Sequence, residues 1–183
     1  MNPLQVTFQQ DLCHIATKVR DALQKLTDDR HPLVLRIENA IRKGNPDAPA
    51  TFPRNWCDYA SCVLALQLAR FLDDPTLELC KWDEEGVLHS HWWLRHAGFD
   101  IDITADQYEH TTEPVIVGRD SRTHQTHFHD PSVRPFFSRE RCKSQYFELF
   151  VNRLDAVVDR ALSRDRVVYL MARHSGEGVD EDG

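Results

Sequence analysis

The stretch Phe52-Pro53-Arg54-Asn55-Trp56-Cys57-Asp58-Tyr59-Ala60-Ser61-Cys62-Val63-Leu64-Ala65-Leu66-Gln67-Leu68-Ala69-Arg70-Phe71-Leu72 decides the fold. Between Ala60 and Leu72 only Ser61, Gln67 and Arg70 are polar. A helix that is apolar on most of its circumference must be covered on most sides, so it belongs at the centre of the structure. Upstream, residues 44–55 are turn-forming and hold three of the nine prolines, as a linker or a loop over a site would. Residues 4–27 carry Leu4, Phe8, Leu12, Ile15, Val19, Leu23 and Leu26 at helical spacing. A second helix is expected from Pro32, which suits a first turn, to about Gly44.

Downstream the pattern turns to strands. Runs at Thr76–Trp82, Val87–Leu94, Phe99–Ile103 and Pro114–Val117 are β-rich and separated by turn-like segments. Residues 119–135 read as a long polar, histidine-rich loop. Tyr146–Leu162 returns to helical spacing, and Val167–Met171 fits either a last strand or a continuation of that helix. The acidic end, residues 173–183, reads as a frayed tail. Helices, a buried helix, antiparallel strands and a helix make an α+β chain. We expect a single domain over 1–183, with a helical extension over 1–50 and a core over 51–172.

Composition narrows the function. The 183 residues are 41% hydrophobic and 28% charged, with a net charge of −7, which argues against bulk binding to nucleic acid or anionic membranes. No apolar run is long enough to span a bilayer. The N-terminus lacks the basic start and apolar run of a secretory signal, so reduced thiols in a cytoplasm are expected. The five cysteines, at 13, 57, 62, 80 and 142, include no Cys-x-x-Cys pair. One reactive thiol among inert ones then becomes the point of interest.

Cys57 is that thiol. If Asn55 is the N-cap, Cys57 is the second helical residue, where free N–H groups and the helix dipole favour a thiolate. The same N–H groups suit an oxyanion. A thiolate nucleophile needs an imidazole to hold its proton. His89 and His91 share one face of the second strand, and Asp100 and Asp102 share one face of the third. A hairpin loop of even length centred on His96-Ala97 would set His91 directly opposite Asp102. A three-residue loop would put Asp102 on the wrong face.

Together, Phe52-Pro53 with Cys57 and Ser61, Ser90-His91-Trp92-Trp93-Leu94, and Asp102-Ile103-Thr104-Ala105-Asp106-Gln107-Tyr108 resemble the Cys, His-x-Trp and Asp-x-Thr boxes of papain-like proteins of the transglutaminase-like type. The likeness covers about residues 52–117. It implies a papain-like core with Cys57 as nucleophile, His91 as general base and acid, and Asp102 as the orienting group. It also implies a cysteine-dependent hydrolase of amide or peptide bonds, working through a thioester on a protein or peptide substrate without a cofactor. Transglutamination and glutamine deamidation use the same triad. Two departures stand out. The family often has Gly after the cysteine where this chain has Asp58, a carboxylate able to raise the thiol's pKa. No equivalent of the papain-type oxyanion glutamine is evident, and Asn55 and Trp56 are the nearest candidates. Gln107 reads as a substrate contact or as a structural hydrogen-bonding residue.

Each of these residues has a plainer reading. Cys57 fits a small buried residue, as Cys62 does, and a degenerate triad would suit a protein-binding module. His91 and His89 would suit a metal only with ligands from His124, His127, His129 and Asp130, a cluster that reads first as polar surface. Asp106 fits a cap on the segment after it. Of Trp92 and Trp93, one is expected in the core and one in the cleft.

Overall fold

The computed structural model describes residues 3–44, 46–47, 49–72, 76–83, 90–119, 121–136 and 145–175; the side chains of 3–5, 145–147 and 164–175 are not described. Among these residues, five helices pack with an antiparallel sheet. In chain order these are α1 (Pro3–Asp28), α2 (Pro32–Gly44), α3 (Cys57–Phe71), β1 (Leu77–Asp83), β2 (Ser90–His96), β3 (Phe99–Asp102), β4 (Ile116–Arg119), α4 (Arg122–His127), β5 (Ser132–Pro135) and α5 (Gln145–Ser175). The sheet order is β4-β3-β2-β1-β5. The α+β reading therefore holds. The segment Val167–Met171 continues α5.

Helix α3 lies at the centre. It packs on α1, α5 and β2, and Ala60, Val63, Leu64, Ala65 and Leu68 are fully buried. Leu77, Leu79, Leu94, Phe99 and Ile101 line the sheet face beneath it. Because strand side chains alternate, Cys80, Trp93, His91, Asp100 and Asp102 take the opposite face. There Cys80, Trp93 and Phe128 form a second, smaller cluster with Trp82 and Tyr108 packed against it.

Helix α1 is part of the core rather than an appendage. Leu12, Ile15, Val19 and Leu23 belong to the same cluster as α3. Arg20 of α1 is nearly buried, donates to the Ile103 carbonyl, and pairs with Asp106 at 2.6 Å. That pairing occupies Asp106, and the residue flanking the short 3-10 turn Ala105–Gln107 is Thr104, so Asp106 does not act as the expected cap.

Two further expectations need correction. The 119–135 segment is not an irregular loop: it contains α4 and β5, and Ser121 caps α4 by accepting from the His124 N–H. The β2–β3 turn is centred on Ala97-Gly98, with φ of 48° and 79°, rather than on His96-Ala97. A two-residue turn of this kind needs positive φ at both central positions, which glycine supplies without strain. His96 instead stays in the strand, paired with Phe99. His89, Cys142 and the tail 176–183 lie outside the described residues.

Candidate active site

Three elements converge at the N-terminus of α3. The β2–β3 ladder runs from His96↔Phe99 to Leu94↔Ile101 and stops there. The main-chain groups of β2 before it are engaged from α3: Ser61 Oγ donates to the Trp92 carbonyl at 3.0 Å, and Cys57 Sγ lies 3.8 Å from the Ser90 carbonyl. The Trp92 N–H in turn bonds the sulfur. Cys57 is thus fixed against β2 at the first residue of its helix.

His91 and Asp102 meet on the far face of the sheet. Continuing the register, Asp102 faces Trp93 and His91 faces Thr104, so the two are diagonal neighbours rather than direct partners. They still share a face, and diagonal pairs lie within reach of long side chains. His91 Nε2 and Asp102 Oδ2 are 2.6 Å apart, with both side chains sealed from solvent. Asp102 Oδ1 accepts from the Thr104 N–H at 2.8 Å and the Thr104 hydroxyl at 3.2 Å.

A fourth residue, His124 of α4, approaches the same carboxylate. It is buried, its Nε2 is 3.2 Å from Asp102 Oδ2, and its Nδ1 is 2.8 Å from Ser121 Oγ. The sequence placed His124 in a polar surface cluster because its neighbours Gln125, His127 and His129 are polar. The Ser-x-x-His spacing at a helix start was the only local signal for it. Burial raises the cost of ionising Asp102, but the attraction of a protonated His91 and hydrogen bonds from His124 and His91 outweigh it and hold the carboxyl well below the usual range.

The ligand atoms of His91, Asp102 and His124 lie within 4.8 Å of one another, a spacing a metal ion would also accept. Tetrahedral bonds of about 2.0–2.1 Å set neighbouring ligand atoms about 3.3 Å apart. The His124–Asp102 distance of 3.2 Å is close to that spacing, whereas 2.6 Å between His91 and Asp102 is a short hydrogen bond to a charged group.

Gln107 joins the two faces. Its Oε1 accepts from the Asn55 N–H at 3.1 Å, which turns its Nε2 toward His91 Nδ1, also 3.1 Å away. The same side chain hydrogen-bonds the Cys57 sulfur. Because a carboxylate only accepts, the ring N–H of neutral His91 sits on Nε2 and Nδ1 is left as an acceptor. No hydrogen bond runs directly from Cys57 to His91 among the described residues; the Gln107 amide touches both.

The N-terminal loop departs from expectation. The residue before α3 is Trp56, not Asn55, and no side chain caps the helix. Asn55 has φ of 60°, and its side chain is committed to the Pro49 carbonyl at 2.6 Å. Trp56 is fully buried, with its indole N–H on the Ala50 carbonyl, so that side chain is core. Trp93 is also core, while half-buried Trp92 lies under Lys81 and Arg134 instead of in the cleft.

The expected low thiol pKa is overturned. Burial above all, with the charges of Asp58 and Asp102, pushes the Cys57 thiol far up, against smaller help from the Trp92 N–H and Gln107. Cys57 is only 5% exposed, and the Asp58 carboxyl beside it is pushed up to about 6 by its own burial. Ser90 and Gln107, which contact the sulfur, also line a cavity of about 270 Å³ together with Arg54, Asn55, Tyr108 and Glu109; Cys57 and His91 are not part of that lining.

No family model, curated protein or solved structure matches this chain. Among the described residues, no helix is long and apolar enough to cross a membrane.

Proposed function

We propose that this chain is a cysteine-dependent hydrolase of amide bonds with a papain-like, transglutaminase-like core, in which Cys57 is the nucleophile, His91 the base and acid, and Asp102 the group that orients His91. The observation that carries the reading is the chain of contacts from Cys57 through Gln107 and His91 to Asp102. A helix N-terminus, a strand and the end of the next strand supply the sulfur, the imidazole and the carboxylate.

The resting thiol is neutral, so the proton must leave during attack rather than before it. As the sulfur bonds to the carbonyl carbon, its proton passes to His91 Nδ1, whose Nε2–H stays on Asp102. An imidazolium at Nδ1 would oppose the Gln107 amide, so Gln107 gives way and donates to the developing oxyanion. The Cys57 N–H, which has no acceptor among the described residues, is the second donor. His91 then protonates the leaving nitrogen as the C–N bond breaks. Water attacks the thioester, giving its proton to His91; the C–S bond then breaks, the acid leaves, and the sulfur takes the proton back from His91. An amine in place of water gives transglutamination, and a glutamine side-chain substrate gives deamidation.

The four described cysteines are free, which suits a reducing compartment such as the cytoplasm.

The test is acylation by p-nitrophenyl acetate, followed as a burst of p-nitrophenolate. A burst of one equivalent, abolished in Cys57→Ser and reduced at least about hundredfold in His91→Asn, is expected. The raised thiol favours one other reading, a binding module with an inert triad; that reading predicts no burst. Chelator treatment leaves the burst unchanged if the carboxylate is hydrogen-bonded as seen, and removes it if a metal is required.

A further inference from the structure

We infer that His124 is a positioning residue for this site: held by Ser121, it fixes the oxygen of Asp102 that faces His91. The inference rests on the hydrolase reading above. A carboxylate has about four acceptor positions, and Asp102 uses all of them: two for Thr104, one for His91 and one for His124. Thr104 holds Oδ1 alone. Without His124, Oδ2 would be held only by the ring it is meant to orient.

His124 is suited to this by its own surroundings. Its Nδ1 faces the Ser121 hydroxyl, whose hydrogen can turn toward it, so neutral His124 keeps its N–H on Nε2, toward Asp102. Ser121 also caps α4, which ties the imidazole's direction to the start of that helix. The rings of His91, Trp93 and Phe128 pack around it, leaving His124 about 2% exposed. The Nε2–Oδ2 bond is therefore shielded from competing water, where a fixed hydrogen bond orients best. A polar side chain sealed against an aromatic cluster is costly unless its bonds do something; here they complete the carboxylate's shell.

The experiment compares p-nitrophenyl acetate acylation of Cys57 in His124→Gln, His124→Phe and Ser121→Ala, with His91→Asn as reference and circular dichroism as the check on folding. Gln at 124 can still donate to Asp102, so it should stay within about threefold of wild type. Phe fills the space without a donor and should slow acylation about tenfold, the usual effect of losing one bond to a charged group. Ser121→Ala should slow it less, in the same direction. The pH profile of acylation should shift in His124→Phe and not in His124→Gln, because the base His91 has lost a fixed partner only in the former. If His124→Phe, folded, matches wild type while His91→Asn is slow, the positioning role is overturned. If His124→Gln falls as far as His124→Phe, it is overturned too, because packing alone would then explain the loss. If His91→Asn matches wild type, it is the hydrolase reading that fails.

Discussion

Asp58 places a carboxylate beside the Cys57 sulfur, which raises the cost of forming a thiolate there. Its Oδ1 is held by the Tyr59 N–H at 2.8 Å, a bond that Asn would keep, so Asp58→Asn isolates the charge. Removing that charge lowers the thiol's pKa, and Cys57 should alkylate with iodoacetamide at least about threefold faster at pH 7. The sign for stability follows from the raised carboxyl. A folded value near 6 against an ordinary 3.8 means that ionisation is penalised only in the fold. The penalty is absent below about pH 4, grows to about pH 6 and is full above it. Asp58→Asn should therefore gain about 2 kcal/mol over wild type at pH 8, allowing for partial solvent access, and nothing at pH 4. Thermal melts across that range check this; a constant difference would contradict it. Gln107→Ala tests the other neighbour of the sulfur. If Gln107 donates to the oxyanion as proposed, acylation should fall about hundredfold.

At the scale of elements, the loop from Asp102 to Gln107 is the critical piece, and α1 holds it. Arg20 donates to the Ile103 carbonyl and pairs with Asp106, whose pKa burial raises even against the pull of that guanidinium. Phe52 lies under the same guanidinium at 5.2 Å, so the loop before α3 and the loop after β3 share one clamp. Arg20→Leu leaves Asp106 half-buried and unpaired. The change should cost about 2–3 kcal/mol in urea unfolding and slow acylation, since Asp102 and Gln107 flank the released segment. Wild-type stability in that variant would contradict the clamp. The elements also show what the sequence disclosed. Helices α1, α2 and α3 were legible because their apolar residues recur with helical period or, in α3, fill most of the circumference. The shared face of His91 and Asp102 was legible from strand alternation. Their register was not, because it depended on whether His96-Ala97 or Ala97-Gly98 made the turn. Helix α4 was hidden because its one inward residue, His124, is polar and is buried by contacts distant in sequence.

For the whole molecule, the N-terminal helical segment packs onto the central helix and the sheet, as its amphipathic pattern predicts. Leu12, Ile15, Val19 and Leu23 share one apolar cluster with α3 and the sheet. Deleting residues 1–28 exposes that face of α3 and removes the Arg20 clamp, so the remainder should lose cooperative thermal unfolding. A cooperative melt near the wild-type temperature would show α1 to be dispensable. The site's burial belongs to the same scale. Helices cover Cys57 from one face of the sheet while the cluster around Trp93 and Phe128 covers His91 and Asp102 from the other. Two layers enclosing one sheet strand give a dry site, which raises the thiol and strengthens the imidazole–carboxylate bond together.

Whether that dry site performs acyl transfer is answered most directly by mapping the acetyl group after brief exposure to p-nitrophenyl acetate at neutral pH. Peptide mass spectrometry should find it on Cys57 ahead of the exposed Cys13, and absent from Cys57 when His91 is Asn. Acetylation of Cys13 alone, or of Cys57 to the same extent without His91, would contradict a nucleophile served by that imidazole.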